Sequence, residues 1–265
     1  MIPIYKIQHA DKNAHINDYS HLRDDELLVS TIFRTCQGEG PYSGWPCVFV
    51  RLAGCNFGSK EQFCGFCDTD FRLVNAHRMK IGEILYEAKK LWNEKEWQGQ
   101  PLMVITGGEP TLQMNLITLM ERAKEQHWIT QIETNGTQVK FANALKERKT
   151  FTTVVISPKA SEHGYGAEPK HYKDWNSYLK FVVDANPDSV QNVLPDWVDN
   201  WSAERVYISP MAIYESEYQG EVADAWQEGL VNRESTRRNY AYAFELCMEF
   251  GYKLTLQQHL WVKAP

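Results

Sequence analysis

Met103-Val104-Ile105-Thr106-Gly107-Gly108-Glu109-Pro110 is an apolar, β-branched run that stops on two glycines and an acid. A short run bounded in this way by turn residues reads as a buried strand. An amphipathic stretch at 114–126 follows it, and then a second run, Thr130 to Glu133, which also stops on a polar turn, Asn135-Gly136. Strand, helix and strand in this order predict a parallel sheet covered by helices. Working outward, Val48 to Leu52, Thr153 to Ser157, Leu179 to Val183, Val206 to Ser209 and Lys253 to Leu256 read as further strands, with helices near 80–92, 138–147 and 236–250. Residues 161–177 and 214–235 carry Gly, Tyr, Trp and charged residues without clear periodicity and read as connecting insertions.

Five of these strands end on polar or Gly-rich residues: TGGEP at 106–110, ETNG at 133–136, SPK at 157–159, SP at 209–210 and QQH at 257–259. Such residues favour turns for local reasons. In parallel α/β folds, however, the carboxyl ends of the strands share one rim, and active sites are built there. Five such ends in one chain point to a site.

The chain has 265 residues, 43% of them hydrophobic, and carries a formal net charge of -6. That length suits one domain with a substantial core. The acidic balance argues against a protein that grips a phosphate backbone, so no nucleic-acid partner is expected. Neither a secretory signal nor an apolar run of membrane-spanning length is visible, so a cytoplasmic protein with no membrane partner is expected. Residues 1–26 are polar and carry His9, His15 and His21 at irregular spacing, which reads as an N-terminal arm without chemistry; residues 27–265 are expected to form the domain.

Cytoplasmic thiols stay reduced, so six cysteines suggest metal or catalysis more than disulfides. Cys55, Cys64 and Cys67 leave a predicted strand on one loop, the last two spaced C-x-x-C. A structural zinc site wants a fourth ligand, which Cys36, Cys47 or His77 would have to supply. A [4Fe-4S] cluster held by three cysteines leaves one iron open to a ligand. Spacing alone leaves zinc and cluster equally open; Cys36, Cys47 and Cys247, taken singly, read as packed thiols.

A wider set of motifs bears on this choice. Cys36-Gln37-Gly38-Glu39-Gly40, Val50-Arg51-Leu52-Ala53-Gly54-Cys55-Asn56, Cys64-Gly65-Phe66-Cys67-Asp68-Thr69, Thr106-Gly107-Gly108-Glu109-Pro110, Glu133-Thr134-Asn135-Gly136, Ser157-Pro158-Lys159 and Gln258-His259 follow one another along the chain. In content and order they resemble the radical S-adenosylmethionine (SAM) superfamily and, within it, the 7-carboxy-7-deazaguanine synthases, over residues 28 to 265. The eight residues between Cys55 and Cys64 depart from the general C-x3-C-x2-C spacing; the synthases vary at this point.

The resemblance implies an incomplete parallel (β/α) barrel of the α/β class, with a [4Fe-4S] loop after the first strand. It implies a SAM- and Mg2+-dependent ring contraction of 6-carboxy-5,6,7,8-tetrahydropterin with loss of ammonia, started by a 5'-deoxyadenosyl radical. An external electron donor such as flavodoxin and a homodimer are further implications. By the same resemblance Cys55, Cys64 and Cys67 ligate the cluster and Thr69 the magnesium. Phe66, Cys67, Asp68, Gly108, Glu109, Asn135, Ser157, Pro158 and Lys159 bind SAM. Cys36, Gln37, Gly38, Glu39, Arg51, Thr106, His259 and the terminal carboxylate of Pro265 bind the pterin. The residue chemistry agrees at two points. A guanidinium at Arg51 suits a substrate carboxylate, and Glu109 and Glu39 can accept from amino and ring N–H groups. The synthases' Gln-Pro-Met-Asp segment is Ser209-Pro210-Met211-Ala212 here, so only backbone contacts carry over. Another radical SAM activity acting on a protein, or a zinc-stabilised binding module, would lack the Gln-Gly-Glu-Gly segment's purpose or the iron.

Overall fold

The computed structural model describes residues 4–5, 19–57, 73, 76–93, 99–173, 175–213 and 231–258. Twelve strands are present among them: β1 (Ile4–Tyr5), β2 (Glu26–Cys36), β3 (Pro46–Leu52), β4 (His77–Lys80), β5 (Leu102–Gly107), β6 (Ile129–Thr134), β7 (Thr153–Ile156), β8 (Ala160–Ser161), β9 (Gly164–Tyr165), β10 (Ser177–Val183), β11 (Val206–Pro210) and β12 (Lys253–Leu254). The helices are α1 (Ile81–Trp92), α2 (Leu116–Glu125), α3 (Val139–Arg148) and α4 (Arg233–Phe250).

The strands β3, β5, β6, β7, β10, β11 and β12 pair in that order, every pair parallel. They are the seven strands the sequence predicts. The strands are rich in apolar residues, with Gln131 and Glu133 of β6 and Lys180 of β10 among the polar exceptions. The sheet curves without closing: β2 adds antiparallel to β3, with β1 and β4 antiparallel to β2, and β12 ends the other side of the path. This is the incomplete (β/α) barrel, with the cysteine loop leaving the first parallel strand.

Strand β2 is absent from the sequence expectation. Its eleven residues, ELLVSTIFRTC, contain a register shift between Val29 and Thr31 that breaks the two-residue alternation. At the end of the arm, Tyr19 and Leu22 pack against the buried Leu28, Ala53, Leu73 and Ala76.

Helix α1 buries Ile81, Ile84, Leu85, Ala88 and Leu91, a spacing that lines one face of a helix. With α2, α3 and α4 it covers Val48, Val50, Met103, Ile105, Ile132, Val154, Leu179 and Ile208 in one continuous core. Helix α4 starts at an Asn232 cap, whose side chain accepts the Ser235 N–H at 2.9 Å, and stops at Gly251, in the left-handed region at φ 71°. Such a cap contributes about 1 kcal/mol. Between β7 and β10, the hairpin β8–β9 and a short 3-10 turn stand where a helix would cover the sheet. Tyr165 and Trp197 pack on Phe181 at ring-centroid distances of 5.4 and 5.8 Å and cover β10 in its place.

The inner face is layered by register. Thr31, Arg51 and Thr106 form one row across β2, β3 and β5, and Phe33, Phe49, Val104 and Gln131 form the row beneath. Below those, Cys47 and Leu102 complete an apolar floor with Phe33, Phe49 and Val104. The upper row is polar and lies next to the rim on which the strands end.

Candidate active site

The cysteine loop begins where β3 meets the end of β5. Gly107 sits at φ 140°, and a Cβ placed there would lie 1.9 Å from the Leu52 carbonyl oxygen. At Gly108 a Cβ would lie 2.2 Å from the Gly54 oxygen and 2.6 Å from Cys55 Cβ. The glycine pair therefore makes room for the backbone of the cysteine loop itself, whereas the resemblance implies that Gly108 meets SAM. The Gly108 and Glu109 N–H groups then donate to Leu52 and Gly54 carbonyls at 3.3 and 2.8 Å. Cys55 is half-buried and accepts the Phe57 N–H at 3.4 Å. Cys64, Phe66, Cys67, Asp68, Thr69, His259 and Pro265 lie outside the described residues.

Glu109 is fully buried and ties the ends of β5 and β6 together. Its Oε1 accepts the Thr111 N–H at 3.1 Å, the Thr111 hydroxyl and the Thr134 hydroxyl at 2.7 Å, and its Oε2 accepts the Asn135 N–H at 2.6 Å. Burial is the strongest influence on this carboxyl and pushes its pKa up, against the pull of its donors. A buried carboxylate of this kind is favoured by a cation, and Oε2 has one lone pair more than its single bond uses. Glu109→Gln should cost about 1–3 kcal/mol, because its amide nitrogen would face the Asn135 N–H, donor against donor. Denaturant unfolding checks this, and an unchanged midpoint would contradict it.

Asn135 carries the connection onward. Its amide donates to Asn56 Oδ1 at 2.8 Å, and Asn56 donates to Thr137 Oγ1 at 2.9 Å, so the end of β6 is fastened to the residue after Cys55. At the end of β7, Ser157 donates its N–H to the Thr134 carbonyl at 2.7 Å and receives Lys159 Nζ at 3.1 Å on its hydroxyl. The rim thus brings together Cys55, Gly108, Glu109, Asn135, Ser157, Pro158 and Lys159.

Of the candidate substrate residues, Cys36 to Glu39 approach from the opposite end of the strands. Because β2 and β3 are antiparallel, Cys36 pairs with Pro46 and the segment 37–45 turns at the floor of the barrel. Its side chains nevertheless reach inward. Gln37, 1% exposed, donates to Glu133 Oε1 at 2.9 Å, and Gln131 donates to the same oxygen at 3.2 Å. Glu39 is ion-paired with Lys180 of β10 and accepts the Ser209 hydroxyl of β11 at 3.3 Å, so both its oxygens have partners. Gly40 donates to Thr255 Oγ1 at 3.0 Å, and Gln258 to Ser43 at 2.9 Å. These bonds bridge the gap that the open sheet leaves between its two sides.

Arg51 differs from its neighbours. Its guanidinium lies over the Phe33 ring at 4.9 Å, beside Thr106 in register, and its buried Nε has no hydrogen-bond partner among the described residues. An unpaired buried guanidinium donor is costly unless something accepts from it. Cys36 is exposed and so is not the packed thiol its sequence suggests. Cys47 is packed, and burial pushes its thiol up. Both lie at the far end of β3, about 17 Å of strand from the cysteine loop, which removes them as ligands beside Cys55. His77 is buried at the near end, paired with Val29.

Sequence reasoning gave no part to Lys180 or Gln113, and took in Ser209 and Glu133 only within strand-end motifs. A lysine inside the apolar strand SYLKFVV is itself a signal, since lysines are rarely buried without a partner. The other three look like ordinary strand-end or helix-start residues.

A profile of the Radical SAM superfamily matches residues 50–193. The 7-carboxy-7-deazaguanine synthase of Rickettsia prowazekii is 31% identical over 238 residues, covering 88% of this chain and 87% of that protein. The protein of the same name from Rhodospirillum rubrum is 30% identical over 246 residues, covering 90% and 93%. Among solved structures, QueE from Escherichia coli superimposes with a TM-score of 0.54 at 19% identity, over 87% of this chain and 93% of that one. That likeness is one of fold.

Proposed function

The chain belongs to the radical SAM superfamily and within it to the 7-carboxy-7-deazaguanine synthases, and from that premise we propose that it converts 6-carboxy-5,6,7,8-tetrahydropterin to 7-carboxy-7-deazaguanine with loss of ammonia. A bound [4Fe-4S] cluster would supply the electron that cleaves SAM and so the radical that opens the reaction. Cys55, with Cys64 and Cys67, would hold it. The close fit of Cys55 against Gly108 supports this, because it leaves the loop one path off β3.

The protein's own residues bind, orient and exclude water. Glu109 Oε2 would take the SAM amino group, whose positive charge offsets the burial of this carboxylate. Asn135, Ser157, Pro158 and Lys159 would line the same ligand, together with Phe66, Cys67 and Asp68. Inside the barrel, Arg51 and Thr106 would hold the pterin carboxylate, with Cys36, Gln37, Gly38 and Glu39 beneath it and His259 and the Pro265 carboxylate closing it. The Phe33–Phe49 layer, stacked at 5.2 Å, gives this chamber an apolar base. Thr69 would place Mg2+ against substrate oxygens. The proposal includes a flavodoxin-type electron donor, a homodimer and a cytoplasmic location; among the described residues no helix is long and apolar enough to cross a membrane.

The observation that carries this reading is the pairing of two features on one strand. Arg51 holds inside the fold a buried Nε donor that is unbonded among the described residues, and four residues later Cys55 stands on the rim. Arg51→Ala should raise the KM for the pterin on the order of 100-fold while slow SAM cleavage without substrate continues. An unchanged KM would remove Arg51 as the carboxylate's partner, and loss of SAM cleavage as well would point to damage to the rim.

A further inference from the structure

Two side chains without a task in the account above converge on one backbone atom at the root of the cysteine loop. The Ala53 carbonyl accepts the Tyr19 hydroxyl at 3.2 Å and Gln113 Nε2 at 3.1 Å. Gln113 is 1% exposed, and both of its donors are used: Nε2 also donates to the Leu28 carbonyl at 3.0 Å, while Oε1 accepts the Leu28 N–H at 2.8 Å. The Ala53 N–H donates to the Leu28 carbonyl at 3.0 Å. One buried amide therefore joins three elements: β2, the first residue after β3, and the turn that follows Gly107-Gly108-Glu109-Pro110.

The position of this carbonyl gives the contact its meaning. Ala53 precedes Gly54, which sits at φ 89° and has the conformational freedom of a glycine; Cys55 is next. Left to itself, the Ala53–Gly54 peptide could turn and swing Cys55 off its line. With both carbonyl lone pairs engaged, turning it breaks two hydrogen bonds at once. Beneath the peptide, Leu28, Ala53, Leu73 and Ala76 form a buried apolar patch against which Tyr19 and Leu22 pack. Leu73 and Ala76 follow the last loop cysteine, so the patch holds the chain both entering and leaving the loop. The Tyr19 hydroxyl is also close enough to Cys55 and Glu109 for their charges, after burial, to push its pKa up.

We propose that Tyr19 and Gln113 are positioning residues for the iron–sulfur cluster, fixing the Ala53 carbonyl and through it the direction in which Cys55 leaves β3. The inference rests on Cys55 being a cluster ligand. It assigns a role to Tyr19, which lies outside the stretch that resembles the family, and makes the end of the N-terminal arm part of the cluster's surroundings. Hydrogen-bond partners made directly to a ligand typically change metal affinity 10- to 100-fold; Tyr19 and Gln113 act two residues before the ligand, so the lower end of that range is expected.

The test uses the whole chain, reconstituted anaerobically with iron and sulfide, as wild type, Tyr19→Phe, Gln113→Leu and the double variant. Cluster loss to an excess of chelator is followed by visible absorbance, and the reduced cluster is examined by electron paramagnetic resonance with and without SAM. Each single variant should lose its cluster about ten-fold faster than wild type and show an altered resonance. The double variant should lose it less fast than the two effects multiplied, because both bonds end on one carbonyl. Tyr19→Phe keeps the ring, so the thermal midpoint of its apoprotein should match wild type, which separates positioning from general destabilisation; it carries the test alone if Gln113→Leu fails to fold. Chelator kinetics and resonance identical to wild type in Tyr19→Phe would overturn the proposal. A wild-type protein that takes up no iron would overturn the cluster reading first, and this proposal with it.

Discussion

Cys55→Ala is expected to leave the protein folded but unable to hold its cluster or cleave SAM. The fold asks little of this side chain: it is half-buried, and among its contacts is a weak acceptor bond to the Phe57 N–H at 3.4 Å. Apoprotein stability should change by no more than about 1 kcal/mol. A cluster held by three thiolates has no spare protein ligand, since the fourth iron is kept for the substrate-side ligand. The cysteines nearest in type cannot substitute, because Cys36 and Cys47 lie at the opposite end of β3. Iron per protein after reconstitution should fall well below wild type, and 5'-deoxyadenosine formation should fall to background. A variant that keeps both would mean the thiols serve another metal or none.

Gly107→Ala is expected to have the largest effect on stability of any alanine placed at a described glycine of this chain. Leu52 and Gly107 are in register across β3 and β5, and the new Cβ would sit 1.9 Å from the Leu52 oxygen and 2.7 Å from its nitrogen. Both are backbone atoms of a buried strand, so neither moves without the sheet. A positive φ of 140° adds strain that an L side chain rarely bears. Overpacking and backbone strain each cost about 1–3 kcal/mol, so about 3 kcal/mol or more is expected, or roughly 6–12 °C in Tm. Gly82→Ala is the control. It lies exposed within α1 with nothing within 4 Å of its Cβ, and it should stabilise by about 0.5–1 kcal/mol. Equal melting temperatures for the two variants would show that the β3–β5 contact is looser than described.

Much of this architecture is readable in the amino-acid order because the relevant forces are local or periodic. The parallel strands are rich in apolar and β-branched residues, and α1 to α4 repeat apolar residues at helical spacing, so both announce themselves. The four helices lie within three residues of their expected ends at every terminus. Strand β2 escapes because a bulge shifts its alternation, whereas the crossover from β7 to β10, read as an insertion without periodicity, holds a hairpin and a short 3-10 turn.

The rim motifs are legible for the same local reason: Gly107-Gly108 and Asn135-Gly136 are turn chemistry at strand ends. What the order of residues hides is partnership across long separations. Gln113 reads as the residue before a helix, yet its amide bonds Leu28, 85 residues away. Glu39 reads as a free acceptor, yet Lys180 lies 141 residues on and already holds it. Gly108 meets SAM by resemblance, and only the folded chain reveals that Gly54 and Cys55 lie against it.

The central claim is that this chain contracts a carboxylated pterin by radical chemistry begun at the cluster that Cys55 helps to hold. The most direct measurement is chromatography of the products after the reconstituted, reduced protein is incubated with SAM, Mg2+ and 6-carboxy-5,6,7,8-tetrahydropterin. The account predicts 7-carboxy-7-deazaguanine and 5'-deoxyadenosine together, both absent from Cys55→Ala. Appearance of 5'-deoxyadenosine alone, from a protein with a full cluster and the pterin present, would contradict the substrate assignment, and absence of both would contradict the account as a whole.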